Sequence, residues 1–122
     1  MNWVNNKQLH RFDPPLAVEH LVYEVKPQAF DSWLEAEFEF WTKGEADRFP
    51  ILVGKEMWLC EGDPHKVTII LYWESLEQWK AIDPQWLAEH ERQFSEVVGA
   101  DNFRLVFEGH AQEQYFKISE YR

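Results

Sequence analysis

Residues 66–73, Lys-Val-Thr-Ile-Ile-Leu-Tyr-Trp, contain the longest apolar run of the chain and decide its fold. A run of this length is typical of a strand and is far too short to span a bilayer. Successive side chains of a strand point to opposite faces of its sheet. One face then holds Val67, Ile69, Leu71 and Trp73, and the other holds Ile70 and Tyr72. Both faces are large and apolar, which predicts a strand that is covered on both sides.

Further strands are predicted on either side of this one in the sequence. Leu52 to Cys60 precedes it, and the turn at residues 61–64, Glu-Gly-Asp-Pro, joins the two as a hairpin. Ala17 to Val25 is rich in Val and Leu and predicts the first strand, while Phe103 to Glu108 predicts the last core strand. Tyr115 to Ile118 is a candidate for a fifth.

Two helical segments separate these strands. Apolar residues recur at helical spacing from Phe30 to Trp41, and Gly44 is predicted to end that helix as a C′ glycine. Ser75 and Gln78 form a capping box that opens the second segment, which Asp83-Pro84 interrupts before it runs on through Val98. The apolar stripe of the first helix comprises Phe30, Trp33, Leu34, Phe38 and Trp41.

The order of elements is β-α-β-β-α-β, which predicts an α+β, ferredoxin-like domain with a four-stranded antiparallel sheet and both helices on one face. Residues 1–15 are mixed and polar and are predicted to form an N-terminal extension, and residues 16–122 form the single domain. The second face of the sheet is also apolar, and soluble monomers rarely expose a patch of that size. We therefore expect two copies to pair through their sheets as a dimeric α/β barrel.

The period of two also predicts which side chains lie at this homodimer interface. His20 alternates with Val18 and Val22, on the opposite face from the residues expected to face the helices. Arg104 beside Glu56 is interpreted as a buried interface ion pair. The predicted interface residues are His20, Glu56, Trp58, Tyr72 and Arg104.

Composition excludes some classes of partner. Twelve Lys and Arg residues against 22 Asp and Glu residues give a net charge of −10, without any basic cluster. Nucleic acid and anionic membranes are therefore not expected as partners. Seven Trp in 122 residues suggest that some rings line an interface or a cavity. The single cysteine, Cys60, and the absence of an apolar leader at the N-terminus favour a cytoplasmic location.

Short motifs resemble a known group. Val25-Lys26-Pro27 leads into a helix, and residues 72–79 read Tyr-Trp-Glu-Ser-Leu-Glu-Gln-Trp at the end of a strand. This arrangement resembles the antibiotic-biosynthesis-monooxygenase-like dimeric α/β barrels. The segments 19–22, 54–59, 72–75 and 78–82 are more closely similar to a small uncharacterised family found mainly in cyanobacteria. The resemblance covers roughly residues 17–107. It implies the fold, within a superfamily that includes cofactor-free monooxygenases, isomerases and haem-degrading enzymes.

Two polar residues occupy positions that a purely apolar core would not choose. Glu37 falls on the helical wheel between Trp33 and Trp41, where a buried carboxylate is costly unless it is paired. His90 lies on the inner face of the last helix with Phe94. If both helices cover the same face of the sheet, Glu37 and His90 are candidates for a catalytic acid/base pair. The alternatives are that Glu37 reaches water or a structural partner and that His90 is a hydrogen-bonded core residue.

These residues lead to two hypotheses of function. In the first, the chain binds a small apolar or aromatic molecule between helices and sheet, with monooxygenase-like or isomerase-like proton transfer. The second is a non-catalytic dimeric scaffold or regulator. No metal motif such as His-Glu-x-x-His is present, and no cofactor is expected. Haem binding is a third alternative. The haem-degrading enzymes of this superfamily carry their iron-binding histidine on the last helix, where this chain has His90, but Leu21 stands where they have an asparagine. The predicted pocket comprises Tyr23, Trp33, Phe38, Trp41, Trp73 and Trp79.

Overall fold

Residues 5–122 are described by a computed structural model that contains five strands and five α-helices. The strands and helices follow one another along the chain as predicted, with a short extra helix and an edge strand at the C-terminal end. Their bounds are β1 Leu9–Val25, α1 Phe30–Glu37, α2 Lys43–Arg48, β2 Leu52–Cys60, β3 Asp63–Trp73, α3 Leu76–Lys80, α4 Pro84–Val98, β4 Phe103–Glu108, α5 Gly109–Gln112 and β5 Phe116–Tyr121.

The sheet is antiparallel with the strand order β2-β3-β1-β4, which is the ferredoxin-like order. β1 and β3 lie at its centre, with Leu21 opposite Ile69 and Ala17 opposite Trp73. β2 pairs with β3 at one edge, and β4 pairs with β1 at the other. The predicted α+β, ferredoxin-like fold with helices on one face of the sheet is therefore confirmed.

The core lies between this sheet and the helices. β3 contributes its predicted helix-facing set to the core, and all four of those side chains are buried. Trp33 of α1 and Phe94 of α4 are among the most deeply buried residues and pack against that face of the sheet. Because the two helices cover only one face of the sheet, they leave the apolar residues of the second face uncovered.

The first helical segment is longer than predicted. A π-helical segment, Phe38–Thr42, follows α1 and leads directly into α2, so the helical path continues to Arg48. Gly44 therefore does not end the helix. A Cβ atom at Gly44 would stand 3.0 Å from Nε2 of His90, so this glycine permits close packing between helices. The path ends where Phe49 turns extended before Pro50, as expected for a residue that precedes proline.

The π-helical segment also moves the apolar stripe. Trp33, Glu37 and Glu45 are buried, whereas Phe38 has 52% of its surface exposed. The prediction had assumed a constant 100° per residue, but a π-helical turn contains an additional residue and rotates the next turns of the helix. Phe38, predicted for the pocket, lies five residues after Trp33 and therefore about 140° around the helix from it, and it faces solvent.

β1 begins at Leu9 and not at the predicted Ala17. Its first half, Leu9 to Arg11, pairs with β5, and the register shifts before the pairing resumes at Leu16. The two prolines of residues 13–15 lie in this irregular interval, where no backbone N–H group is needed for hydrogen bonds between the strands. The predicted boundary between residues 15 and 16 thus falls inside a strand, and residues 1–4 of the predicted extension lie outside the described part.

The chain itself covers part of the second face of the sheet. Lys117 of β5 lies over the ring of Tyr72, with its Nζ 3.9 Å from the ring centroid, and 3.9 Å from Oε2 of Glu56. At the edge of β1, the side chain of His110 in α5 contacts the backbone of His20. Trp58, Val106 and Phe107 stay largely exposed on this face.

Arg104 pairs with Glu24 and not with Glu56. Its Nη2 lies 2.7 Å from Oε2 of Glu24 on the neighbouring strand. β2 and β4 are opposite edges of the sheet, so Glu56 and Arg104 of one chain are separated by the two central strands. The predicted Glu56–Arg104 pair does not form within the chain.

Candidate functional site

A cavity of about 170 Å³ lies between the sheet and the helices. Strands β1, β2 and β3 form its floor, and α1, the π-helical segment, α2 and α4 form its roof. Its apolar walls come chiefly from Tyr23, Trp33, Trp41 and Phe94. Five charged residues also line it, namely Glu19, Glu37, Glu45, Lys55 and Glu91.

The first polar group of the cavity is a buried ion pair. Lys55 of β2 and Glu37 of α1 contact each other through Nζ and Oε1, and both side chains are almost fully buried. Nζ of Lys55 also donates to Oγ1 of Thr42 over 2.8 Å, and that hydroxyl donates to Oε2 of Glu37 over 3.2 Å. The carboxylate that the helical wheel had placed in the core is thus paired and hydrogen-bonded, as a buried charge requires.

Glu19 lies on the cavity floor, on the same face of β1 as Leu21 and Tyr23. One carboxylate oxygen accepts a hydrogen bond of 2.9 Å from Nε1 of Trp73. Burial raises the pKa of Glu19 from its ordinary value to about 7, although this hydrogen bond and the charge of Lys55 act in the opposite direction. A carboxyl group with a pKa near neutrality can both give and take a proton at physiological pH.

Glu45 has no hydrogen-bond partner for its carboxyl group among residues 5–122, although only 7% of its surface is exposed. It lies two helical turns beyond Glu37 on the same face of the helix. Burial, followed by repulsion from Glu19, raises the pKa of Glu45 to about 8. Its carboxyl group therefore holds a proton at neutral pH and has a free side toward the cavity.

Glu91 and Tyr23 lie between the cavity and the surface. Both also line a shallow groove beside β4 that includes Ser95 and Leu105. Oε1 of Glu91 accepts a hydrogen bond of 3.3 Å from Oγ of Ser95. Burial raises the pKa of the Glu91 carboxyl group and also that of the Tyr23 phenol. These two side chains therefore separate the interior cavity from the groove.

Two indole groups of the cavity wall lack hydrogen-bond acceptors. Nε1 of Trp33 and Nε1 of Trp41 are buried and have no partner within the described residues. Most buried polar groups in native proteins are hydrogen-bonded, because an unpaired one costs about 1–3 kcal/mol. Two such donors belong to residues in the wall of one cavity, and both are free to donate to an acceptor.

The predicted pocket is partly reproduced by the cavity. Tyr23, Trp33 and Trp41 line it, whereas Trp73 and Trp79 do not. Trp73 is on the helix-facing side of β3 and orients Glu19, and Trp79 of α3 stacks on Trp73 with ring centroids 6.0 Å apart. These two rings pack in the core beside the cavity without lining it.

His90 is held outside the cavity. Its Nε2 contacts the carbonyl oxygen of Phe40 in the π-helical segment, and since a carbonyl only accepts, Nε2 carries the proton. The ring stacks on Trp86 and meets Trp41 edge-on, with centroids 4.6 and 4.7 Å away. The structure does not join His90 to Glu37, which contacts Lys55 and Thr42 instead. The residues present also do not fit haem, because the ring nitrogen that faces the protein core is already bonded to a carbonyl.

Sequence reasoning did not identify Glu19, Glu45, Lys55 or Glu91 as site residues. Period-two alternation with Leu21 and Tyr23 was a sufficient signal for Glu19, and Lys55 alternates with Met57 in the same way. Glu45 lies beyond Gly44, where the helix had been predicted to end. Among residues 5–122, no group of three or more His, Cys, Asp and Glu side chains is placed to hold a metal ion.

None of the helices within residues 5–122 combines the length and apolar character needed to cross a membrane.

Comparisons with known proteins identify the fold and no more. No protein-family model matches the chain, and no curated protein matches it. A dimeric ferredoxin-like protein from an uncultured marine organism is 10% identical, with a TM-score of 0.56 over 88% of this chain and 92% of that one. A protein from Shewanella oneidensis is 11% identical, with a TM-score of 0.53 over 94% and 100%. A conserved protein from Methanosarcina mazei Go1 is 14% identical, with a TM-score of 0.52 over 84% and 93%. The chain therefore has a ferredoxin-like fold that it shares with distant proteins.

Proposed function

We propose that this protein binds a small molecule with an aromatic or apolar body in the cavity between its helices and its sheet. The observation that carries the proposal is the pair of buried indole N–H groups without partners, those of Trp33 and Trp41, in a cavity wall that also holds the carboxyl group of Glu45. Buried groups of this kind are stabilised when a ligand supplies their missing hydrogen bonds.

The size of the cavity supports a ligand with one ring. An engineered apolar cavity of about 150 Å³ in another protein stays dry and binds benzene. The present cavity of about 170 Å³ is similar in size, but its walls combine aromatic rings with carboxyl groups. A ring with one polar substituent would fill the volume and meet both kinds of wall.

Proton transfer is the chemistry that the cavity supports. The pKa values of Glu19 and Glu45, raised to about 7 and about 8, suit a general acid and a general base at neutral pH. We assign proton transfer to these two residues, and we assign to Glu37 the task of holding Lys55 in place. His90 then acts as a positioning residue through the carbonyl of Phe40. Monooxygenase-like or isomerase-like chemistry, suggested by the sequence resemblance, requires such a proton acceptor.

The seven indole N–H groups provide a direct test of ligand binding. A set of one-ring fragments is added to ¹⁵N-labelled protein, and the indole resonances are assigned with single Trp→Phe variants. We expect the resonances of Trp33 and Trp41 to shift, because their N–H groups gain an acceptor. Trp58 is the internal control, since it lies on the second face of the sheet. If no fragment moves Trp33 or Trp41, the cavity is not a binding site, and the scaffold hypothesis is favoured.

We also propose that the protein forms a homodimer through the second face of its sheet. Trp58, Val106 and Phe107 expose apolar surface there, and a structurally similar protein is described as dimeric. Sedimentation equilibrium at micromolar concentration is expected to give twice the mass of 14.7 kDa. A monomer at that concentration would contradict the proposal.

A further inference from the structure

We propose that the ligand of the cavity is an organic ammonium ion: a small amine or quaternary ammonium compound with an aromatic or apolar body. This inference rests on the proposed function, because it names the chemical class of ligand for the same cavity. Three observations carry it, namely the imbalance of charged groups, the aromatic walls and the unpartnered carboxyl group.

The charged groups of the cavity are strongly unbalanced. Four carboxyl groups line it, and within residues 5–122 Lys55 is the one basic side chain in its lining. Lys55 is already committed to Glu37 and Thr42, which leaves Glu19, Glu45 and Glu91 without a cation in that lining. Opposite charges within a few ångströms of one another interact strongly when they are screened from water. A cation of the ligand would therefore displace protons from these carboxyl groups and pair with the resulting carboxylates.

The aromatic rings of the cavity suit the same class of ligand. Tyr23 and Trp33 lie with ring centroids 5.9 Å apart, and Trp41 and Phe94 lie 6.3 Å apart. Aromatic faces attract ammonium groups, and cages of several rings are a common way for proteins to bind quaternary ammonium ions. Carboxyl groups among such rings add charge to a site that already favours cations.

The unpartnered groups specify the ligand further. The carboxyl group of Glu45 has a free acceptor for an ammonium N–H, whereas the indole groups of Trp33 and Trp41 require an acceptor. A ligand that also carries a hydroxyl group, or that brings a bound water molecule, would satisfy both. An anionic ligand would satisfy the indole groups, but its charge would face Glu19, Glu45 and Glu91.

Binding of a cation is expected to release protons. Glu19 and Glu45 are partly or mainly protonated at pH 7, and a bound cation favours their ionised forms. The charged and titratable groups that face them are Glu37 and Lys55 on the roof and floor, Glu91 on α4 and Tyr23 on β1, with Lys80 and Glu108 near Glu19. Affinity for a cation should therefore rise between about pH 6 and about pH 9.

Three matched one-ring probes test the charge of the ligand. Benzylammonium, benzyl alcohol and benzoate are similar in size and differ in charge, and each is titrated while the indole resonances of Trp33 and Trp41 are followed. We expect benzylammonium to bind at least about tenfold more tightly than benzoate, with benzyl alcohol between them. Calorimetry in two buffers of different ionisation enthalpy is expected to show proton release with benzylammonium alone.

Glu45→Gln is the variant that separates charge from shape. It keeps the size of the side chain, so we expect about a tenfold loss of benzylammonium affinity and less proton release, with a smaller change in the affinity for benzyl alcohol, which carries no charge. Glu39→Gln is the matched control, because Glu39 lies on the same helical path but faces solvent, paired with Lys43. Circular dichroism of both variants shows whether they fold as the parent does, and Glu91→Gln repeats the test at the cavity mouth.

The outcomes distinguish this inference from the proposed function. If benzoate or benzyl alcohol binds most tightly and shifts the indole resonances, the cavity is a binding site but its ligand is not a cation. If benzylammonium binds without proton release or with equal affinity to Glu45→Gln, the inference is also overturned. If none of the probes shifts the indole resonances of Trp33 and Trp41 at millimolar concentration, both proposals fail.

Discussion

The two faces of the sheet depart in opposite ways from the simple rule that apolar residues lie inside a protein and polar residues outside it. The face beneath the helices is buried, yet it carries the ion pair of Glu37 and Lys55 and the carboxyl groups of Glu19 and Glu45. The second face is partly open to solvent in the single chain, yet Trp58 has 52% of its surface exposed there. Buried charge is costly unless it has a purpose or a partner, and exposed aromatic surface usually indicates an interface. This contrast is the basis of the two proposals, ligand binding on one face and self-association through the other.

The largest effect is expected from the buried ion pair. Lys55→Met leaves the carboxylate of Glu37 buried without its cation, so we expect the free energy of unfolding to fall by about 3–5 kcal/mol. Urea denaturation measures this value. The double variant Glu37→Leu and Lys55→Met removes both charges and should recover most of the loss. Lys43→Met, which breaks the exposed pair with Glu39, is the control. If Lys55→Met lowers the free energy of unfolding by less than about 1 kcal/mol, the unpaired carboxylate of Glu37 is tolerated beneath the helices and this account is wrong.

A smaller effect is expected from pH. The pKa of Glu45 rises from its ordinary value of 4.5 to about 8 in the folded protein, so the folded state binds the proton more tightly. Stability is then highest below about pH 4.5 as far as this group is concerned, and it falls as the pH rises to about 8. Between pH 5 and pH 7 this decline amounts to roughly 2–3 kcal/mol, and we expect Glu45→Gln to remove it in urea denaturation at a series of pH values. Parallel pH profiles for the variant and its parent would contradict this account of Glu45.

On the second face, Trp58 is the residue whose change should matter most. Trp58→Glu places a charge in the exposed apolar patch, so we expect the dimer dissociation constant to rise at least about tenfold. Analytical ultracentrifugation over a range of concentrations measures it. Val97→Glu is the matched control, because Val97 is also exposed but lies on α4, on the helix side. If Val97→Glu weakens the dimer and Trp58→Glu does not, the helices form the interface.

The smallest effect is expected at the second ion pair. Arg104 and Glu24 are on the second face, and the side chain of Arg104 is 72% exposed. Exposed pairs contribute about 0–1 kcal/mol, so Arg104→Ala should change the free energy of unfolding by less than that. When Arg104→Ala and Lys55→Met are measured under the same conditions, the difference between their losses of unfolding free energy compares the ion pairs of the two faces. A loss comparable to that of Lys55→Met would mean that this pair is buried in the assembled protein.

The fold was predictable because its signals are local. The alternation of Lys66 to Trp73, the hairpin turn at residues 61–64 and the cap at Ser75 each specify one element, and their order specifies the topology. Glu37 was recognisable for the same reason, since the positions of Trp33 and Trp41 on the wheel show that it faces the core. Its partner was not, because Lys55 lies on a strand whose distance from the helix is set only by folding.

The errors have identifiable physical causes. Gly44 resembles a helix stop, but it is required by the approach of His90, which is a long-range contact. Ending the helix there removed Glu45 from consideration. Phe38 was predicted for the pocket because it is an apolar residue at the edge of the helical stripe, about 140° around the helix from Trp33. The pairing of β5 with the first half of β1 joins the two ends of the chain and has no local signal either.

The π-helical segment lets the helical path hold one additional residue while the side chains on either side of it keep their faces. Removing one residue from Phe38–Thr42 would let an ordinary α-helix form, in which each residue turns by about 100°. Glu37 and Glu45 would then be seven positions apart and separated by about 700°, which is close to two full turns, so both carboxyl groups would still face the cavity. A single codon deletion would thus shorten the roof of the cavity by one residue without redirecting its acidic side chains, and a related chain that lacks this residue is expected to present the same carboxyl groups to its ligand.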